Sequence, residues 1–584
     1  MKFCFSALLP LAMGLAACPA LAVENDKLAK VPGAGMSAAK TAPPLPVGQD
    51  GSASDNDFRI CDGYAAPKGK SDGIARESFL FGATTRSADL RRGGMRIFGE
   101  TGVSACSRAL VDSRLVDNFW LRRASLLQGQ AVQKIAAGNA EAALKLADDS
   151  DALGAANNDP YFARSIGIGN QAVRAYALSK LGRKEEAIAA IAKFRNQRRW
   201  SQSIADLATR LTLDMDHSLP AQVVELRSRI ALAPEKSIGL FWMNFLSGQY
   251  QAARDIAPAV SFDLPKQRGG WTLTDAAEAE LKEIGVRTGF YGAWAYAENV
   301  AGNSEEAKAL ITLAGVELDE IMAPPPPRTD GRPPRKKDVE AHARRQPHAR
   351  KARDELNLWA AAIAYRPMIA IKPIEQSHAE MRKKRLVELP IAIDVLRLTP
   401  QMGPDDKADV ERAIAAIELR NAQERSAALD LSFDEFMEML PKPETPKVVP
   451  VLKPAGDGYF LSDTGLSRNR EGDSDTWTIR YTHALAPKAA VEELALLGAA
   501  QTARKEGFDR LLVLSRIALT RTTHVSGGYI PPFDQNSGYE AQLRVRFFHA
   551  TQIPMDLRGA EWRLVSVEDI ITELSPRYRE GAII

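Results

Sequence analysis

The chain has 584 residues, of which 45% are hydrophobic and 26% charged, and its formal net charge is +3. These are the proportions of an ordinary globular protein, which excludes a fibrous or wholly disordered chain and leaves room for two to four domains. Beyond the first 22 residues no stretch stays apolar for 18 positions, so no membrane-spanning segment is expected after the N-terminus.

The N-terminus has the pattern of a bacterial-type secretory signal. Met1-Lys2 supplies the positive start, residues 3–15 the apolar core, and Ala20-Leu21-Ala22 a small-residue cleavage site. Export follows as an expectation, to the periplasm or an outer-membrane-associated position, where chemistry driven by ATP or NAD(P)H is not expected. Leu15-Ala16-Ala17-Cys18 also fits a lipobox that would make Cys18 a lipid attachment site, although Pro19 does not favour it. The chain is thus read as soluble or lipid-anchored, with both readings open. Residues 23–57, rich in Ala, Gly, Pro and Ser, predict a flexible tether.

Two of the four cysteines, Cys4 and Cys18, fall in the signal region. The remaining pair, Cys61 and Cys106, is expected to be bridged in an oxidising compartment, with two buried free thiols as the alternative. No histidine lies near either in sequence to complete a metal site.

Across residues 58–322 apolar residues recur at helical spacing. A short phrase returns four times: Gly138-Asn139-Ala140-Glu141-Ala142-Ala143, Gly182-Arg183-Lys184-Glu185-Glu186-Ala187, Gly248-Gln249-Tyr250-Gln251-Ala252-Ala253 and Gly302-Asn303-Ser304-Glu305-Glu306-Ala307. Glycine permits a turn between antiparallel helices, and the alanine five residues on permits their close approach. Ala131, Ala175 and Ala295 stand seven residues before three of these glycines. The phrase resembles the tetratricopeptide repeat. Its spacings of 44, 66 and 54 residues are irregular against a family period of about 34. The resemblance implies a mainly α fold, an irregular TPR-like α-solenoid over residues 58–440, with a groove that grips a partner and performs no chemistry. A generic α-bundle with glycine turns is the alternative.

Residues 323–353 interrupt the pattern with Pro324-Pro325-Pro326-Pro327 and Pro333-Pro334, and carry ten basic against three acidic residues from Arg328 onward. They predict a Pro-rich basic linker, either a solvated spacer or a binder of anionic lipid or polymer. Nucleic acid is not expected as a partner in that compartment. A further helical segment is expected over 354–440, with an N-terminus at Pro404-Asp405-Asp406 and a capping box from Ser432 to Glu435. A second linker, 441–456, then leads to a C-terminal α+β domain, 457–584.

In that domain the order β-β-α-β-β-α is predicted. Its parts are strands at 458–461 and 477–481, a helix from Pro487 to about Gly507, a buried strand at 508–519, a loop at 526–538, a strand at 542–548 and a helix capped by Ser566. Gly458-Tyr459, Trp477 with Tyr481, Ala495-Leu496-Leu497 with Ala499-Ala500, Gly507-Phe508-Asp509 and Leu574-Ser575-Pro576-Arg577 resemble a family of small, functionally uncharacterised envelope lipoproteins of Gram-negative bacteria. The resemblance favours the Cys18 reading and brings no catalytic residues.

Other constellations carry little chemistry. Gly167-Ile168-Gly169-Asn170-Gln171-Ala172 has the letters of a dinucleotide fingerprint without a preceding strand, so helix packing is expected. Asp214, Asp216 and His217, and the trio His483, His524 and His549, are weak metal candidates read as surface or capping residues. Glu492-Glu493 reads as the exposed side of a helix. Tyr529, Phe533 and Tyr539, on or beside the 526–538 loop, are candidate partner contacts. No catalytic, cofactor or metal residues are assigned. The expectation is a non-enzymatic envelope scaffold binding a protein or envelope partner. The alternatives are a structural lipoprotein holding anionic polymer and a peptidoglycan- or glycan-acting enzyme.

Overall fold

The computed structural model describes residues 53–74, 77–79, 84–86, 97–262, 273–400, 403–445, 452–455, 464–472, 474–527, 530–553, 557 and 560–578. The signal, Cys18, most of the tether, the 458–461 strand and Tyr529 lie outside the described residues.

Helix α1 (Asp55–Asp62) opens on Ser54, whose hydroxyl accepts from the Asp57 N–H while the Asp57 carboxylate accepts from the Ser54 N–H. This capping box turns the last residues expected in the tether into helix. Strands β1 (Glu77–Phe79) and β2 (Thr84–Arg86) form an antiparallel hairpin where helix was expected, the β-branched Thr84-Thr85 favouring extended backbone. Helix α2 (Glu100–Val111) follows, and the Cys61–Cys106 disulfide joins it to α1. Then come α3 (Trp120–Ala136), α4 (Ala140–Asn157), the short α5 (Pro160–Ala163), α6 (Ile166–Lys180), α7 (Lys184–Gln197) and α8 (Gln202–Met215).

The next stretch comprises α9 (Leu219–Arg229), α10 (Lys236–Leu246), α11 (Tyr250–Ile256), α12 (Leu273–Val300), α13 (Ser304–Met322), α14 (Lys336–Ile369), α15 (Ile374–Lys383), α16 (Ala392–Leu398) and α17 (Pro404–Leu429). An aromatic core of Phe241, Phe245, Tyr250, Phe290, Tyr296 and Trp359 holds it. The basic segment expected as a linker is helical from Lys336. Pro347 lies inside α14, but on its exposed side, where the carbonyl left without a partner can be hydrated. Ala349, Ala352 and Leu356 bury the helix's other side in a core shared with Ala314 and Leu318 of α13.

The four glycine phrases fold alike. Gly138, Gly182, Gly248 and Gly302 have φ of 81°, 75°, 67° and 89°, the left-handed conformation. Each glycine N–H donates to the carbonyl three residues back, and the next N–H to the carbonyl five back, as in Gly182 to Ser179 at 3.0 Å and Arg183 to Leu178 at 2.9 Å. This is the Schellman arrangement, which satisfies the carbonyls at a helix end and reverses the chain. Ala143, Ala187, Ala253 and Ala307, five residues on, are fully buried. The α3–α4, α6–α7, α10–α11 and α12–α13 pairs are therefore four copies of one local structure. Space around the glycines differs. A Cβ at Gly182 would meet nothing, whereas at Gly248 it would come within 2.6 Å of Ile393 and 2.7 Å of Arg397. Gly182→Ala is expected to cost about 1 kcal/mol through backbone strain alone, and Gly248→Ala measurably more, read as faster hydrogen exchange of the α6–α7 and α10–α11 amides respectively.

The last stretch contains α18 (Phe433–Met439), strands β3 (Gly465–Arg470) and β4 (Thr476–His483), helix α19 (Lys488–Lys505), strands β5 (Arg510–Gly527), β6 (Ile530–Phe548) and β7 (Val565–Ser566), and helix α20 (Val567–Leu574). The sheet is antiparallel in the order β3-β4-β6-β5-β7, and α19 and α20 share a core with it. The whole is thus a mainly α chain with a C-terminal α+β portion. Of the 526–538 segment, expected as a loop, residues 526–527 and 530–538 are instead strand, at the far end of the paired β5 and β6. β4 pairs with β6 only from Tyr539 to Arg546, and Pro531-Pro532 fall at an irregular step of the β5–β6 register, between the Val525–Phe533 and Gly527–Ile530 pairs, where proline is tolerated.

By their packing the described residues form two compact units: one holds those within 218–230 and 234–427, the other those within 53–217, 231–233 and 428–578. The α+β portion thus shares a unit with α1–α8, which stand more than 200 residues earlier.

Candidate functional site

Within the second of these units, a set of buried polar groups gathers around four consecutive residues, Arg198 to Ser201, between α7 and α8. Arg198 is buried and makes a two-pronged bond to Glu493 of α19, Nε to Oε1 and Nη2 to Oε2, each 2.9 Å. Its Nη1 donates to Glu444 Oε1 at 2.9 Å and to the Arg164 carbonyl at 3.0 Å. Tyr578 donates its hydroxyl to Glu493, and Arg164 Nε donates to the other oxygen of Glu444. Arg199 pairs with Glu573 of α20 at 2.6 Å, and the Trp200 carbonyl accepts from buried Arg516 of β5 at 2.8 Å. Ser201 caps α8 and donates to Glu492, which also accepts from the Ser203 N–H at 2.8 Å and hydroxyl at 2.6 Å. Glu492 therefore places its charge at the N-terminal end of α8, where the helix dipole favours an anion.

The electrostatics of the cluster are matched. Burial alone would raise the Glu493 carboxyl, but the Arg198 charge and the hydrogen bonds from Arg198 and Tyr578 outweigh it and hold the group below the usual carboxylate range. Burial likewise opposes the Arg198 charge, and Glu493 and Glu444 overcome it, keeping the guanidinium protonated. Burial, reinforced by Glu493, pushes the Tyr578 phenol upward. Both Glu493 oxygens and all three Arg198 nitrogens are engaged. The arrangement is that of a docking lock between the α6–α8 helices and α19–α20.

Glu492-Glu493 was expected on an exposed helix face, and this is corrected: the two are 1% and 0% exposed. α19 is enclosed on all sides, by the sheet on one and by the α8 and α20 helices on the other. Similarly, Glu444 and its neighbours at 441–445, expected in a linker, are buried or half-buried, drawn in by Arg198 and Arg164.

The other sequence candidates fall as follows. Cys61 and Cys106 are bonded to each other. Tyr539 is a core residue, 7% exposed, and belongs to the cluster of α19 and the sheet, so it is not a surface contact in this fold. The Phe533 side chain, Tyr529 and Cys18 are outside the described residues. His483 and His549 do not converge: His483, at the end of β4, pairs with Tyr539 midway along β6 and accepts from the Leu485 and Ala486 N–H groups, while His549 follows the end of β6, its ring tilted against Phe508. Asp214, Asp216 and His217 separate into pairs with Lys180, Lys184 and Asp430. Gly167 and Gly169 lie in α6, where a Cβ on Gly169 would come within 2.4 Å of the Gln128 side chain, which is the close helix packing expected. Among the described residues no group of three or more His, Cys, Asp or Glu is placed to hold a metal ion, and no helix is long and apolar enough to cross a membrane.

Compared with known proteins, the chain matches no protein-family model, no curated protein and no solved structure.

Proposed function

We propose that this chain is an exported, non-catalytic scaffold of the cell envelope, whose TPR-like helical pairs stack as a short irregular solenoid and hold a protein or envelope partner. The observation that carries the reading is the fourfold recurrence of one helix-turn-helix geometry, two copies in each compact unit, each with a left-handed glycine and a buried alanine five residues later. Helical pairs of this kind present long side-chain surfaces suited to gripping another chain. The disulfide agrees with an oxidising compartment. Two second helices of the pairs also carry apolar side chains in solvent, Ile188 at 47% on α7 and Leu313 at 46% on α13.

The test places a photo-crosslinking amino acid at position 188 or 313 in the full chain within cells. A discrete adduct that persists through a stringent wash is expected, together with none from Lys407, an exposed control position. The reading is overturned by the absence of any adduct at both positions, or by turnover of glycan or peptidoglycan substrate by the purified chain.

A further inference from the structure

We propose that the exposed N-terminal half of α14 is a binding face for a linear polyanion. The proposal stands apart from the scaffold reading, since either can fail without the other.

Between Arg328 and Arg353 the chain carries a surplus of seven positive charges, against +3 for the whole, so the remainder is net acidic. Part of that surplus is already neutralised: Arg332 lies near Asp330, Lys336 near Glu340, and Arg353 on Asp319. What remains has order. Lys337, Arg344 and Lys351 are all exposed and lie seven residues apart on one helix. Seven residues are nearly two turns, so the three cations share one line about 20 Å long, with steps of about 10 Å. Exposed His348 lies on the same line, one turn past Arg344. The opposite flank is anchored by Ala349, Ala352 and Leu356 in the core and by His342 and Gln346, which bond the Met322 carbonyl. The line therefore points outward on a fixed rod, and no backbone needs ordering when a ligand arrives.

A chain of anionic groups fits this better than a lipid surface. A helix that settles into a membrane interface carries large apolar side chains beside its basic residues. Here the exposed Val339 lies about 160° around the helix from the line, and no Leu, Ile, Phe or Trp accompanies the cations. An extended polymer with an anionic group every few ångströms can meet Lys337, Arg344 and Lys351 together and release its counterions on doing so.

The experiment measures binding of fluorescently labelled inorganic polyphosphate to the full chain over a range of salt concentrations. The triple variant Lys337→Gln, Arg344→Gln, Lys351→Gln is compared with a control triple of exposed lysines elsewhere, Lys193→Gln, Lys308→Gln, Lys407→Gln. At low salt the first is expected to weaken binding about a hundredfold and to flatten the log–log salt dependence by about 2, while the control stays within a factor of a few. The charge-keeping set Lys337→Arg, Arg344→Lys, Lys351→Arg should bind like the parent, and circular dichroism should show all variants equally helical. Unchanged binding by the first triple, an equal loss in the control, or failure of the charge-keeping set would each overturn the proposal. So would binding only to phosphatidylglycerol vesicles, which would assign the face to membrane.

Discussion

Replacing Arg198 with Met is expected to loosen α8 and α19 together, at a cost of about 3–5 kcal/mol, because Glu493 and Glu444 are left as buried carboxylates short of their main partner. Hydrogen exchange is the suitable probe, since a chain of two compact units has no single unfolding free energy. Amides of α8 and α19 should exchange from about a hundredfold to a few thousandfold faster, while those of α12 in the other unit hold their rates. The variant should also invert the pH response. In the parent, Glu493 is held below its ordinary value, so its stabilisation is present above the usual carboxylate range and fades as pH falls through the lowered folded value. In the variant, burial without Arg198 would raise the Glu493 carboxyl, and protonation would relieve it. The gap between parent and variant should then be larger at pH 7 than near pH 4. An equal gap at both values would mean that lost packing, and not stranded charge, is the cause.

Removing the disulfide by Cys61→Ser with Cys106→Ser is the second large effect. The bond spans 45 positions, and the loop-closure estimate for such a span is about 4 kcal/mol. The loss should appear first at α1. That helix is otherwise tied to its surroundings by Asp57 with Arg108, Asp55 with Arg114, and the buried Asp62–Arg122 pair. Burial raises the Asp62 carboxyl despite the facing Arg122, so this pair is a weak substitute for the covalent link. Trypsin should therefore cut at Arg59 within α1 in the double variant, or in the reduced parent, well before α3 or α6 is attacked. Resistance equal to that of the oxidised parent would show that the ion pairs alone suffice.

What could be read in advance follows from how local each signal is. The glycine turns, the Ser432 and Ser566 caps, the helix after Pro487 and the pairing of the two cysteines depend on a few neighbouring residues, and all were legible. Glu492-Glu493 was not, because its partners Arg198 and Ser201 stand about 290 positions away. A hint existed in the long uncharged run that follows, 494–503, which leaves α19 no broad polar face. Pro347 and the basic run hid α14 because a proline argues against helix locally, while the burial of Ala349 and Leu356 that sustains it is tertiary. Gly527 and Pro531-Pro532 hid the outer β5–β6 hairpin, since only the pairing partner decides whether a proline breaks a ladder.

The interleaving of the two units bears on how the polypeptide comes into being. Because 218–230 and 234–427 interrupt the other unit, the ribosome delivers every carboxylate acceptor for Arg198 and Ser201 after the inserted unit has been synthesised. A nascent chain thus passes through a long interval in which the α7–α8 corner carries an unmatched guanidinium, and only the arrival of Glu444, Glu492 and Glu493 closes it.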